Sequence, residues 1–274
     1  MTSRLSWTIA LTLGAAALTG CAAPESPEAE AGLLSYDEFK AQAYREDDTG
    51  VFIVNGDELV ETETDLEDAY SRYVDSTLGI ETVEQALAVN TVNGQDDKWP
   101  AGTAANLTYC IDTRSFGNNA NAVVAALDAA AATWEGTATV NFVYASAENR
   151  SCTSRNNNVV FNVRQVRGAG YLARAFFPST SRRSRELLID RSSFSNIAPW
   201  TLTGILTHEL GHAIGFRHEH TRPEAGTCFE DNAWRALTAY DAASVMHYPQ
   251  CRGTQAGDLS LTQLDRDGAR LLYP

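Results

Sequence analysis

The sequence feature that most constrains this chain is the run His208-Glu209-Leu210-Gly211-His212, set inside an apolar stretch from Leu202 to Ile214. Apolar spacing over that stretch predicts a helix, and histidines four apart lie on one helix face, so both imidazoles can reach a single metal ion. Glu209 sits beside the first histidine, able to touch a metal-bound water without itself ligating. Neutral imidazole suits zinc, and a catalytic zinc needs three protein ligands and an open position. Gly215 permits a sharp, left-handed exit from the helix, and three residues later His218 can fold back as the third ligand. The bland alternative is a helix with two surface histidines and a salt-bridging glutamate; Gly215 and His218 argue against it. All five histidines of the chain fall between positions 208 and 247, a clustering that a solubilising role does not require.

His208-Glu-Leu-Gly-His212-Ala-Ile-Gly215-Phe-Arg-His218 resembles the extended zinc motif of the metzincin peptidases. Ser244-Val245-Met246-His247-Tyr248 resembles their methionine turn, in the astacin version where a tyrosine follows the methionine by two residues. Glu219, directly after the third histidine, is also astacin-like; there it pairs with a processed N-terminus. The following His-Thr-Arg-Pro-Glu departs from the astacin pattern. Leu172 to Pro178 resembles the edge strand that lines the matrixin substrate cleft. Arg174 stands where matrixins carry a histidine for a structural zinc, so that second zinc is not carried over. From about Trp99 to the C-terminus the fullest resemblance is to the bacterial dual-action HEIGH metallopeptidases, with Leu210 in place of the isoleucine of that name.

The resemblance implies an α/β (α+β) metzincin-type zincin: a twisted mixed sheet, an active-site helix and an irregular C-terminal subdomain. It implies a zinc-dependent endopeptidase with one catalytic Zn2+ held by His208, His212 and His218. Glu209 would be general base, Tyr248 would ligate zinc at rest and then stabilise the oxyanion, and Met246 would form an apolar floor. His220 and His247 read as structural or surface residues. The competing reading is a lipid-anchored zinc-binding or adhesion module without turnover; retention of Glu209 and Tyr248 speaks against it.

The rest of the chain gives that site a setting. The formal net charge of −14 is unevenly spread: residues 22–98 carry 20 acids against 4 bases, whereas residues 99–274 carry 15 against 16. The acidity therefore belongs to one segment, and no basic patch points to nucleic acid. Residues 1–20 read as an export signal, and Leu18-Thr19-Gly20-Cys21 resembles a bacterial lipobox with Cys21 lipidated. Residues 21–32 read as a tether, 33–98 as an acidic prosegment-like region and 99–274 as the catalytic domain. The expected protein is exported, and either lipid-anchored at a bacterial membrane surface or released after processing. The expected partners are a protein or peptide substrate and, through the anchor alone, a membrane; the expected state is monomeric.

Four further cysteines, Cys110, Cys152, Cys228 and Cys251, allow three connectivities. An exporting compartment favours pairing, and sequential pairing closes the shorter loops. In the acidic region Val51 to Val54 reads as a strand ended by the turn Asn55-Gly56-Asp57; helices are predicted over about Thr64 to Tyr73 and Val83 to Val89. Asp57 is most simply a turn aspartate. Because astacin prosegments block zinc with an aspartate after glycine, the second reading is a latency switch. Beyond Trp99 the patterns predict strands over 107–111, 140–144, 159–166, 171–177 and 187–189, and helices over 120–134, 202–214 and 261–272. The arginine-rich loop Ser181 to Arg185 reads as a solvated surface.

Overall fold

The computed structural model describes residues 33–77 and 86–274; Cys21 and the expected export signal and tether lie outside them. In chain order the elements are α1 (Tyr36–Gln42), β1 (Tyr44–Arg45), β2 (Phe52–Val54), β3 (Glu58–Val60), α2 (Glu63–Thr77), β4 (Ala86–Val92) and β5 (Gln95–Asp96). Then come α3 (Ala101–Ala104), β6 (Leu107–Ile111), α4 (Thr113–Phe116), α5 (Ala120–Glu135), β7 (Phe142–Tyr144), β8 (Phe161–Val166) and β9 (Ala173–Arg174). The chain continues through β10 (Glu186–Asp190), α6 (Leu202–Ala213), β11 (Trp234–Thr238) and α7 (Gln263–Leu272).

A five-stranded mixed sheet in the order β7-β6-β8-β10-β9 organises the molecule: four strands run parallel and β9 closes one edge antiparallel to β10. Parallel strands need covered crossovers, and α5 supplies one between β6 and β7. Its small, apolar face buries Val123, Leu127, Ala130, Ala131 and Trp134 at helical spacing. Trp134 also donates its indole N–H to the carbonyl of Thr207 (2.8 Å), which locks α5 against α6. Strand β10 is buried along its whole length. Leu187 and Ile189 face the helices in the main core, whereas Leu188 packs on the opposite face with Tyr171, Val51 and Ile53.

That second face is covered by the acidic region. Strands β1, β2 and β3 form a small antiparallel sheet, followed by α2 as the pattern from Thr64 predicts. The predicted helix from Val83 to Val89 is overturned where it can be followed: residues 83–85 lie outside the described residues, and from Ala86 the chain is strand β4. Leu87, Ala88 and Val89 are all buried, and a short unbroken apolar run fits a buried strand as well as a helix. Strand β4 pairs with β11, and the Ala88 carbonyl accepts from Arg217 N (2.8 Å). The change in composition at Lys98 and Trp99 therefore does not coincide with a break in the fold; Leu33–Pro274 form one unit. Both disulfides follow the sequential pairing, Cys110–Cys152 and Cys228–Cys251. Of the edge-strand stretch 171–177 only Ala173–Arg174 is ladder-paired. The arginine loop is less solvated than its composition implies: Arg182 donates to the Val159 carbonyl (2.9 Å) and Arg185 stacks over Trp99 at 4.8 Å. Among the described residues, no helix is long and apolar enough to cross a membrane.

Candidate metal centre

Helix α6 begins at Thr201, whose hydroxyl caps Gly204 N (3.0 Å), and it is buried from Gly204 to Ala213. It ends by turning at Gly215, whose φ is +103°; a Cβ there would meet the Asp97 carbonyl at 2.2 Å, so only glycine fits this exit. The turn brings His218 back over the helix. Nε2 of His208 lies 3.2 Å from that of His212 and 3.3 Å from that of His218. Gly211 makes room on the helix for the methionine turn: a Cβ there would sit 2.5 Å from Sδ of Met246, which is fully buried beneath the site.

The outer nitrogens are all committed. Nδ1 of His208 donates to the Val245 carbonyl (2.7 Å), Nδ1 of His212 to the Phe216 carbonyl (2.7 Å), and Nδ1 of His218 to Glu230 Oε1 (2.6 Å). Carbonyl oxygens only accept, so the hydrogen sits on Nδ1 and the lone pair on Nε2 points inward. A fourth acceptor joins them. Asp57, from the turn between β2 and β3, places its carboxylate 3.4 Å from His208 Nε2, 3.6 Å from His212 Nε2 and 3.0 Å from His218 Nε2. Its Oδ1 is buried without a hydrogen-bond partner. Three imidazole lone pairs and a carboxylate converging in a dry site repel one another unless a cation lies among them, and this N3O donor set suits zinc. Burial pushes the His208 imidazole down to about 4, in keeping with a neutral ligand. Burial also acts against a charged His218, but Glu230 and then Asp57 outweigh it and hold it well above the usual imidazole range.

Glu209 is buried beside the ligands with Oε2 unpaired. Burial first, and the Asp57 carboxylate second, push its carboxyl well above the usual range. The Tyr248 ring lies tilted 4.4 Å from His218 and stacks 5.6 Å from His208. Gly56 approaches it so closely that a Cβ would lie 2.9 Å from the Tyr248 hydroxyl. The Asp57 carboxylate thus lies among the three imidazoles, with Tyr248 alongside.

His208, Glu209, His212, His218, Met246 and Tyr248 gather here, together with Asp57. Glu219 lies apart from the centre: it is buried, accepts from Asp241 N (3.0 Å) and lies 3.8 Å from Arg222, and burial pushes its carboxyl up to about 8. His247 is buried and takes a contact from the Tyr240 hydroxyl (2.8 Å). Residues invisible to motif spacing surround the ligands. Arg217 forks onto Glu58 (3.1 and 2.8 Å) and also reaches Glu230 (3.1 Å) and Asp231 (2.6 Å). Arg174 on β9 forks onto Glu46 (2.8 and 2.7 Å). Only the placement of Arg217 between two ligand-motif residues offered a sequence signal; Glu46, Glu58 and Glu230 offered none.

The model of one family, described as dual-action HEIGH metallo-peptidase, matches residues 53–232. The chain belongs to that family. It is a metallopeptidase by family, and the match reaches back through Asp57 and β3. The metallopeptidase also matches two curated sea-urchin proteins, both from Strongylocentrotus purpuratus. One is a bone morphogenetic protein 1 homolog, 38% identical over 16% of this chain and 10% of that protein. The other is protein SpAN, 31% identical over 23% of this chain and 13% of that protein. The chain spans about a tenth of the length of these curated relatives. Among solved structures, myroilysin aligns with a TM-score of 0.48 at 18% identity, covering 68% of this chain and 98% of that one. High choriolytic enzyme 1, a hatching enzyme zinc-protease from the medaka fish Oryzias latipes, aligns with a TM-score of 0.37 at 20% identity, covering 61% of this chain and 88% of that one.

Proposed function

We propose that this metallopeptidase is an endopeptidase held latent by its own acidic region. The observation that carries the reading is the Asp57 carboxylate, which lies 3.0–3.6 Å from all three inward-pointing imidazole nitrogens. His208, His212 and His218 would hold zinc, with Asp57 as the fourth donor in the uncleaved chain. Zinc, when bound, supplies a Lewis acid that polarises the scissile carbonyl and acidifies a water. Once Asp57 leaves, Glu209 loses the negative neighbour that helps keep it protonated and becomes free to act as general base. It takes the proton of the attacking water and passes it to the leaving amine. Tyr248 donates to the developing oxyanion, a contact whose loss costs ~10²–10³ in rate. Residues 33–98 form the prosegment in this reading, and protein or peptide chains are the substrates. The leader and Cys21 support an exported, lipid-tethered protein, and we take it to be a monomer.

The test uses full-length protein activated by limited proteolysis and an unstructured protein substrate. Cleavage should stop with a chelator, return with zinc, and be absent in Glu209→Ala. A Glu209→Ala variant as active as the wild type would overturn the mechanism.

A further inference from the structure

The three ligands are not held alike. His208 and His212 donate their outer N–H to backbone carbonyls, which are neutral acceptors. His218 donates to a buried carboxylate, Glu230, at 2.6 Å, and Glu230 is only 4% exposed. Glu230 is itself fixed from three sides. Tyr248 N donates to Nδ1 of His220 (3.2 Å), so His220 carries its hydrogen on Nε2 and presents it to Glu230 Oε1 (3.2 Å). Arg217 Nη2 donates to Glu230 Oε2 (3.1 Å). One carboxylate thus ties the third ligand to His220, to the backbone of Tyr248 and to the guanidinium that precedes the ligand in sequence. His218, Glu230 and His220 themselves gather their ligating atoms within 4.8 Å. The contact with Glu230 occupies the ring nitrogen of His218 that faces away from the main centre, so this cluster acts as support for that centre.

Arg217 carries the network further. Its fork towards Nε is filled by Glu58, the residue after Asp57, and its Nη1 by Asp231 (2.6 Å). Asp231 in turn pairs with Arg72 of α2 at 3.0 Å. Three carboxylates share one buried guanidinium, so withdrawing Glu58 strengthens the hold of Arg217 on the two that stay. Charge-assisted contacts of this kind are stronger than neutral ones and tune the ligand they support.

We propose that Glu230 is the positioning residue of His218, and that Glu58 of the acidic region, whose Oε1 also stands 3.8 Å from His218 Nδ1, acts on the metal centre chiefly through Arg217 and Glu230, a second route beside the direct contact of Asp57. This inference rests on the reading of the three histidines as the zinc site. A carboxylate accepting from Nδ1 raises the donor strength of the ligand and fixes its ring; such partners typically set metal affinity by 10–100-fold.

The test is metal affinity of the full chain, measured by competition with a chromophoric chelator, together with the visible absorption of the Co2+-loaded protein. Glu230→Gln keeps an acceptor oxygen but removes the charge; it should weaken zinc ~10–100-fold and shift the cobalt bands. Glu186→Gln removes a buried carboxylate that pairs with Arg164 at 3.1 Å and contacts neither Arg217 nor the three histidines; it should lower stability and leave affinity and bands in place. Glu58→Gln should change the effect of Glu230→Gln by at least about threefold when the two are combined, since groups in one network are not additive. Glu230→Asp should recover part of the affinity. Equal loss of affinity in Glu186→Gln and Glu230→Gln would make Glu230 merely structural and overturn the proposal. So would an unchanged affinity in Glu230→Gln. Additive behaviour of Glu58→Gln would overturn the second route alone, and a wild-type chain that binds neither zinc nor Co2+ would overturn the metal reading itself.

Discussion

Replacing Glu46 by alanine removes one buried carboxylate and strands one buried guanidinium. Arg174 has no exposed surface, and its fork is filled by Glu46 at 2.8 and 2.7 Å. The Tyr171 hydroxyl (2.5 Å) and the Thr49 hydroxyl (2.7 Å) complete the carboxylate's shell. The other hydrogen bonds of Arg174 go to the backbone carbonyls of Glu186 and Ala175. Removing one member of a buried pair costs ~3–5 kcal/mol, because the other charge stays buried and uncompensated. With a urea dependence near the upper end for a chain of this size, about 3 kcal/mol/M, the unfolding midpoint of the full chain should fall by on the order of 1–2 M. Asp48→Ala is the matched control: Asp48 meets Arg164 at 3.5 Å but is 76% exposed, and such surface pairs contribute about 0–1 kcal/mol. Replacing both partners, Glu46→Leu with Arg174→Met, should recover much of the loss, since no charge is then stranded. Acid gives a second readout. Burial raises the Glu46 carboxyl, but Arg174 outweighs burial and leaves it below the usual carboxylate range. A depressed folded value means stability that is present above the unfolded value of about 4.3 and is lost as pH falls through the folded one. The gap between wild type and Glu46→Ala should therefore hold from pH 5 to 8 and shrink below about pH 4. A Glu46→Ala midpoint within about 0.3 M of Asp48→Ala, or a gap that widens in acid, would refute the reasoning.

Asp57→Ala in the uncleaved chain should release peptidase activity, read with a quenched fluorogenic peptide; unchanged latency would remove Asp57 from the mechanism. Chelation should lower the melting temperature of the full chain by roughly 8–16 °C if zinc stands near a thousand times its Kd, from about 4 kcal/mol of linkage at about 2–4 °C per kcal/mol. An unchanged melting curve by calorimetry would contradict the four-donor centre. Cys228→Ser with Cys251→Ser opens a bridge spanning 23 residues and should cost ~2–4 kcal/mol in a urea titration. Its ends flank the methionine turn, so turnover after activation should fall as well.

The convergence of His208, His212 and His218 was legible because its signals are local. Histidines four apart on an apolar helix, a glycine exit and a third histidine place three rings together by helix geometry alone. The methionine turn and the core of α5 were equally local, and the cysteine pairs followed from loop length. The helix expected over Val83 to Val89 failed because a short apolar run has no distinguishing period; the strand there exists only because β11 offers it a partner. The fold of the acidic region onto the sheet was also out of reach.

What tertiary structure decided is the company those ligands keep. Asp57 stands 151 positions from His208 in sequence, and its turn motif is equally at home on any surface. Glu46 meets Arg174 across 128 positions and Glu58 meets Arg217 across 159. Glu230, though only 12 positions from His218, sits in irregular chain with no periodicity to aim it. A carboxylate's role depends on which buried cation or imidazole it faces, and that is fixed by packing over the sheet rather than by spacing along the chain. The sequence by itself determined that three histidines converge; the fold determined that the Asp57 carboxylate reaches them and that a buried carboxylate stands behind the third.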